Sequence, residues 1–182
     1  MRVVLAIIAG GLLLIAAAFG IACSDDDNGG GDTLTLEDYF AQAAELRSGT
    51  SSAFQELAQM EGPSADDSDE DIATFLHANV QGSAEILRDA ESDFHALDAP
   101  EEAADAHDAF VLATGDAAGA LEDYDDALPD SLTLEGLENA PDPFFSDQVL
   151  EDAFLALEDA CMDLQTVADD NGIAVDLECA PE

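Results

Sequence analysis

Forty-three Asp and Glu residues share this chain with three arginines and no lysine, and that imbalance constrains the fold more than any motif does. An acidic side chain is almost never fully buried unless it is paired, and here the cations to pair with are too few. Every element must therefore keep a polar face in water and turn an apolar stripe inward. All 43 acids lie beyond residue 24, where the only basic residues besides histidine are Arg47 and Arg88, leaving −41 with His neutral. Such a balance excludes nonspecific nucleic-acid binding, which needs cations to neutralise phosphates. It also disfavours direct docking on anionic lipid, so the expected partners are cations, basic proteins or water. Disorder is the wrong inference from this acidity, because 48% of residues are hydrophobic and they recur at helical spacing. Self-repulsion makes the fold dependent on screening salt or bound cations, and points to a saline environment.

From Cys23 onward 160 residues remain, enough for one domain with a core. Four long helical patterns are legible. The first starts at Thr35, where Thr35-x-x-Asp38 is a variant of the capping box, and runs to Met60 with Leu36, Tyr39, Phe40, Ala43, Leu46, Phe54 and Leu57 on one broad face. Its SGTSS middle, residues 48–52, is a poor helix former and a candidate kink. A linker over residues 61–71 precedes the second pattern, Ile72 to Leu97, with Leu76, Val80, Leu87 and Phe94 spaced by threes and fours. Pro100 marks a stop and a restart. The third pattern, Ala103 to Leu128, alternates steps of four and three through His107, Phe110, Thr114, Ala117 and Leu121, with Gly115 and Gly119 allowing close helix approach. Residues 129–143 read as a connection carrying at most one helical turn, at Leu134 to Glu138. The fourth helix is expected from Phe145 to Asp170, with Val149, Ala153, Phe154, Leu157, Cys161, Leu164 and Ala168 inward and Asn171-Gly172 as its left-handed cap. The fold class expected is all-α, an antiparallel four-helix bundle.

Upstream of the helices, Val3 to Ala22 form twenty consecutive apolar or glycine residues behind Arg2, long enough to span a bilayer. The run reads as a cleaved leader or as an uncleaved anchor, and both leave the acidic chain outside. Gly20-Ile21-Ala22-Cys23 resembles the lipobox of bacterial lipoproteins, with Gly20 standing where the family usually has Leu. The resemblance implies cleavage before Cys23, diacylglyceration of its thiol, and attachment to the extracytoplasmic face of the cell membrane. The division expected is a signal peptide over 1–22, a flexible acidic and glycine-rich tether over 23–33, and the helical domain over 34–182. Asp26, Asn28, Gly31 and Glu37 also fall at calcium-loop positions, but Gly30 has no ligating side chain and Thr33 replaces the expected aliphatic residue, so the stretch reads as tether. The segment Leu97-Asp98-Ala99-Pro100 followed by His107 is similar to helical lipoproteins of bacteria, a likeness that implies no activity.

If Cys23 is lipidated, Cys161 and Cys179 remain as a pair for a disulfide in an oxidising compartment. Such a bridge staples the C-terminal tail along the last helix and contributes about 3 kcal/mol by constraining the unfolded chain. His77, Arg88 and His95 share one stripe of the second helix. They fit either contact with a ligand or carboxylate-bearing partner, or pairing with the acidic flank of a neighbouring helix. His107, on the seam of the third helix, reads as a hydrogen-bonded structural residue; a metal or haem role would need further ligands, and no Glu-x-x-His or Cys-x-x-Cys-His frame occurs. The carboxylate runs at 66–71 and 122–126 suit weak, diffuse Ca²⁺ or Mg²⁺ binding without an ordered cage. No catalytic residue, metal ligand set or resident cofactor is expected. The role expected is structural or interactive at the cell surface, with a small-ligand or divalent-cation binding module as the alternative and an enzyme behind both.

Overall fold

The protein is described by a computed structural model over residues 34–64, 66–133, 135 and 148–179. The leader, Cys23, the tether and the stretch with calcium-loop spacing lie outside the described residues, as do the start of the fourth pattern at Phe145 and most of the turn at Leu134 to Glu138. Four helices make up the fold: α1 (Leu36–Ala58), α2 (Asp69–His95), α3 (Ala104–Ala127) and α4 (Gln148–Asp170), with no strand among the described residues. The segment 173–179 that follows is irregular and is joined to α4 by a Cys161–Cys179 disulfide.

Local chemistry sets the helix ends. Thr35 Oγ1 accepts the Asp38 N–H at 3.1 Å while its hydroxyl donates to the Asp38 carboxylate at 2.6 Å. Ser68 and Asp71 form a full reciprocal box at the start of α2. That box corrects the expected boundary, because α2 begins at Asp69, inside the stretch that composition marks as linker. The SGTSS segment does not interrupt α1. Thr50 and Ser52 each donate to the carbonyl four residues back, Leu46 and Ser48, so their hydroxyls bond within a continuous α1. At the far end of α4, Gly172 adopts φ +70°, the Ile173 N–H reaches the Ala168 carbonyl and the Gly172 N–H reaches that of Asp169. This pair of bonds is a Schellman cap, and glycine meets its left-handed residue without Cβ strain.

The helices run up, down, up, down around two stacked apolar clusters. One joins the start of α1 (Tyr39, Phe40, Ala43), the end of α2 (Phe94), the start of α3 (Phe110, Ala113) and the end of α4 (Cys161, Leu164, Ala168). The other joins Val80, Ala84 and Leu87 of α2 with Ala117, Ala118 and Leu121 of α3 and Leu150 of α4, and Phe54 of α1 packs against it. The antiparallel order follows directly from which ends share a cluster. Val149 departs from expectation: it is 66% exposed, and Leu150 beside it takes the inward position instead.

Candidate functional site

The face between α2 and α3 gathers most of the polar chemistry. His77 donates its Nδ1–H to Asp125 Oδ1 at 2.7 Å, and Gln81 Nε2 donates to the other oxygen of the same carboxylate at 2.7 Å. About two turns beyond Gln81 along α2, the Arg88 guanidinium grips Glu122 with two parallel bonds of 3.0 Å. Its remaining terminal nitrogen donates to Glu91 at 2.9 Å and to the Gly115 carbonyl at 3.3 Å. Gly115 makes this possible, since a Cβ there would stand 2.6 Å from a Glu91 oxygen. Bidentate bonding is a strong geometry for an arginine, and it holds the Glu122 carboxyl below its ordinary pKa. Because the cluster is open to solvent, its value for stability is small.

His77 and Arg88 thus bond to the acidic flank of α3, with each Arg88 nitrogen already engaged. His95 is exposed and stands elsewhere, at a groove of about 360 Å³ that it shares with Glu91, Asp108 and Leu112. A second groove of about 450 Å³ runs between Arg88 and Asp125, with Glu85, Asp89 and Asp126 on its rim. Its walls offer carboxylates and one neutralised cation, so it suits hydrated cations far better than anions. Among the described residues no group of three or more His, Cys, Asp or Glu side chains is placed to hold a metal ion.

His107 is separate from both grooves. It is buried where α3 meets α1, its Nδ1 sharing a 3.0 Å hydrogen bond with the Tyr39 hydroxyl and its ring edge-on to the Tyr39 ring at 5.8 Å. Burial pushes the imidazole below its ordinary pKa, with His95 adding to the effect and Asp108 opposing it, and burial pushes the Tyr39 phenol up. A depressed His contributes stability that is complete above the unfolded value near 6.5 and is lost as pH falls through the folded value. In molar salt, where surface repulsion is screened, unfolding free energy should therefore begin to fall as the pH drops below about 6.5. A His107→Gln variant should flatten that slope, and a slope unchanged by the substitution would assign it to other groups. Tyr39→Phe removes one partner of a buried bond and should cost about 1–3 kcal/mol in chemical denaturation.

Arg47, the other arginine of the domain, was not singled out by sequence pattern. Its Nε donates to the Leu177 carbonyl and its Nη2 to the Glu178 carbonyl, both at 3.0 Å, and the guanidinium lies 5.9 Å from the Phe110 ring centre. The three histidines and two arginines therefore serve four different places, and the structure brings together only His77 and Arg88 of the expected stripe. Antiparallel register was the available signal for their partners. Phe94 and Phe110 stand eight residues either side of Glu102 and meet with ring centres 4.7 Å apart, and His77 pairs with Asp125 about the neighbouring Glu101. Nothing comparable in the sequence connects Arg47 with residue 177. No protein-family model matches the chain, and no curated protein or solved structure shows significant similarity to it.

Proposed function

We propose that the protein is a lipid-anchored, extracytoplasmic acidic bundle with a structural or protein-interaction role at the cell surface, suited to a saline setting. One observation carries this reading. The chain has three cysteines, Cys161 and Cys179 are bonded to each other, and Cys23 is left at the end of an apolar run in a lipobox-like setting. A disulfide forms in an oxidising compartment, and the acyl chain supplies the membrane attachment that a −41 surface would otherwise resist. Nearly all the charge the bundle presents is carboxylate, because Arg47 faces the C-terminal segment and Arg88 is bonded to Glu122 of α3. Basic proteins and hydrated cations are its natural partners.

Fractionation of cells expressing the full chain tests the anchor. The wild type should sediment with membranes and partition into a detergent phase, and Cys23→Ser should lose lipid labelling. Equal labelling of both would remove the anchor from the account. The 450 Å³ groove supports a second reading, a divalent-cation module. Calorimetry with Ca²⁺ separates the two, since saturable micromolar binding favours the module and weak, unsaturating heats favour the structural role.

A further inference from the structure

The bundle closes in an unusual way. α2 packs on α1, α3 on α2 and α4 on α3, but the backbones of α1 and α4 come close at few points among the described residues. The seam between them is filled by the segment beyond Ile173, whose Val175, Leu177 and Cys179 pack with the cluster of Tyr39, Phe40, Ala43 and Leu164. Leu177 is fully buried. From the α1 side, Arg47 holds the Leu177 and Glu178 carbonyls and Ser51 donates to the Glu178 carboxylate at 3.1 Å. From the α4 side, Gln165 donates to the Val175 carbonyl at 2.9 Å and accepts the Leu177 N–H at 2.9 Å, and Cys161 bonds covalently to Cys179.

We propose that residues 174–179 are a redox-released strap, held across the α1/α4 seam by the Cys161–Cys179 bridge and freed by a dithiol reductant without unfolding the helices. Three features separate the strap from the helices it joins. Among the described residues, its hydrogen bonds to them run through the side chains of Arg47, Ser51 and Gln165, with no backbone ladder to propagate order. The Schellman cap at Gly172 and Ile173 finishes α4 before the strap begins, so α4 does not need the strap to keep its last carbonyls satisfied. The polar pairings of α2 with α3 lie outside the region the strap touches, and only the Phe94–Phe110 end of that helix pair shares its cluster.

Cys161 is 3% exposed while Cys179 is half-buried, so an entering thiolate meets the Cys179 sulfur first. It forms a mixed disulfide there, and Cys161 leaves as a thiolate that takes up a proton. The second thiol of the reductant then attacks its own bonded sulfur, releasing Cys179 as a thiol and the reductant as its disulfide. Two electrons and two protons pass to the protein, and the strap is tied only by its side-chain bonds. Its release uncovers the apolar seam between α1 and α4.

Hydrogen exchange by mass spectrometry on the full chain, in molar salt with and without a dithiol, tests this. Reduction should speed exchange of 174–179 by about tenfold or more, extend to the seam-facing start of α1, and leave unchanged the parts of α2 and α3 around Val80, Leu87, Ala117 and Leu121, which the strap does not touch. A Cys161→Ser/Cys179→Ser variant should show the same pattern with no reductant present. Unchanged protection of the strap after reduction would overturn the proposal, and so would an equal loss of protection in all four helices.

Discussion

The thermal midpoint of this protein should climb by more than about 10 °C between 10 mM and 1 M NaCl. Screening shortens the reach of a surface charge from about 30 Å at the low end to about 3 Å at the high end. At −41, with Arg47 and Arg88 already engaged, like charges face one another around the whole bundle when salt is scarce. The opposing loss is minor: the exposed Arg88 pairs weaken in salt, but such pairs are worth only about 0.2–1 kcal/mol each. Sodium sulfate distinguishes screening from enhanced burial. If it stabilises no more than NaCl at equal ionic strength, screening dominates; a much larger effect of sulfate indicates strengthened apolar burial instead. A midpoint flat across that range of NaCl would show that the carboxylates do not strain the fold.

Phe94→Ala should cost about 3–5 kcal/mol, the largest effect of any single substitution considered. Phe94 is fully buried where α2, α3 and α1 converge, edge-on to Phe110 at 4.7 Å, and its loss leaves a cavity beneath the short link that returns the chain into α3. A domain of this kind has about 5–15 kcal/mol in total, so the variant should be folded in molar salt and largely unfolded in dilute buffer. Leu112→Ala is the control: Leu112 is 65% exposed and should change stability by less than about 0.5 kcal/mol. Equal losses for the two would contradict the placement of the core.

The helices were legible because their spacing is local. Steps of three and four place Val80, Leu87 and Phe94 on one side of α2 whatever surrounds it, and Pro100 and Asn171-Gly172 punctuate the chain through their own backbone preferences. Boundaries were harder where side chains overrule composition. Ser68 and Asp71 start α2 inside an acidic linker by bonding each other's backbone, and the serine and threonine hydroxyls of residues 50 and 52 turn back onto α1. The cysteine pair was readable from counting, conditional on another use for Cys23. Pairing of His77 and Arg88 with an acidic neighbouring flank was one of two readings the sequence allowed, but the contacts made by His107 and Arg47 were not readable, because each depends on register between distant elements. His107 meets Tyr39 across 68 positions, and Arg47 reaches Leu177 across 130, distances at which one sequence carries no pairing signal. That the tail lies along α4 followed from the cysteine pair, but its contacts with α1 escaped for the same reason, and only the gap it fills explains the burial of Leu177.

The central claim is that Cys23 carries the lipid and the acidic bundle hangs from it outside the cell. Intact-mass spectrometry of the mature protein, purified from membranes of cells expressing the full chain, addresses it directly. The account predicts a polypeptide that begins at Cys23, carries a diacylglyceryl mass there, and retains the Cys161–Cys179 bridge. A chain with Met1 intact and Cys23 unmodified would contradict it, and would make residues 3–22 a transmembrane stalk.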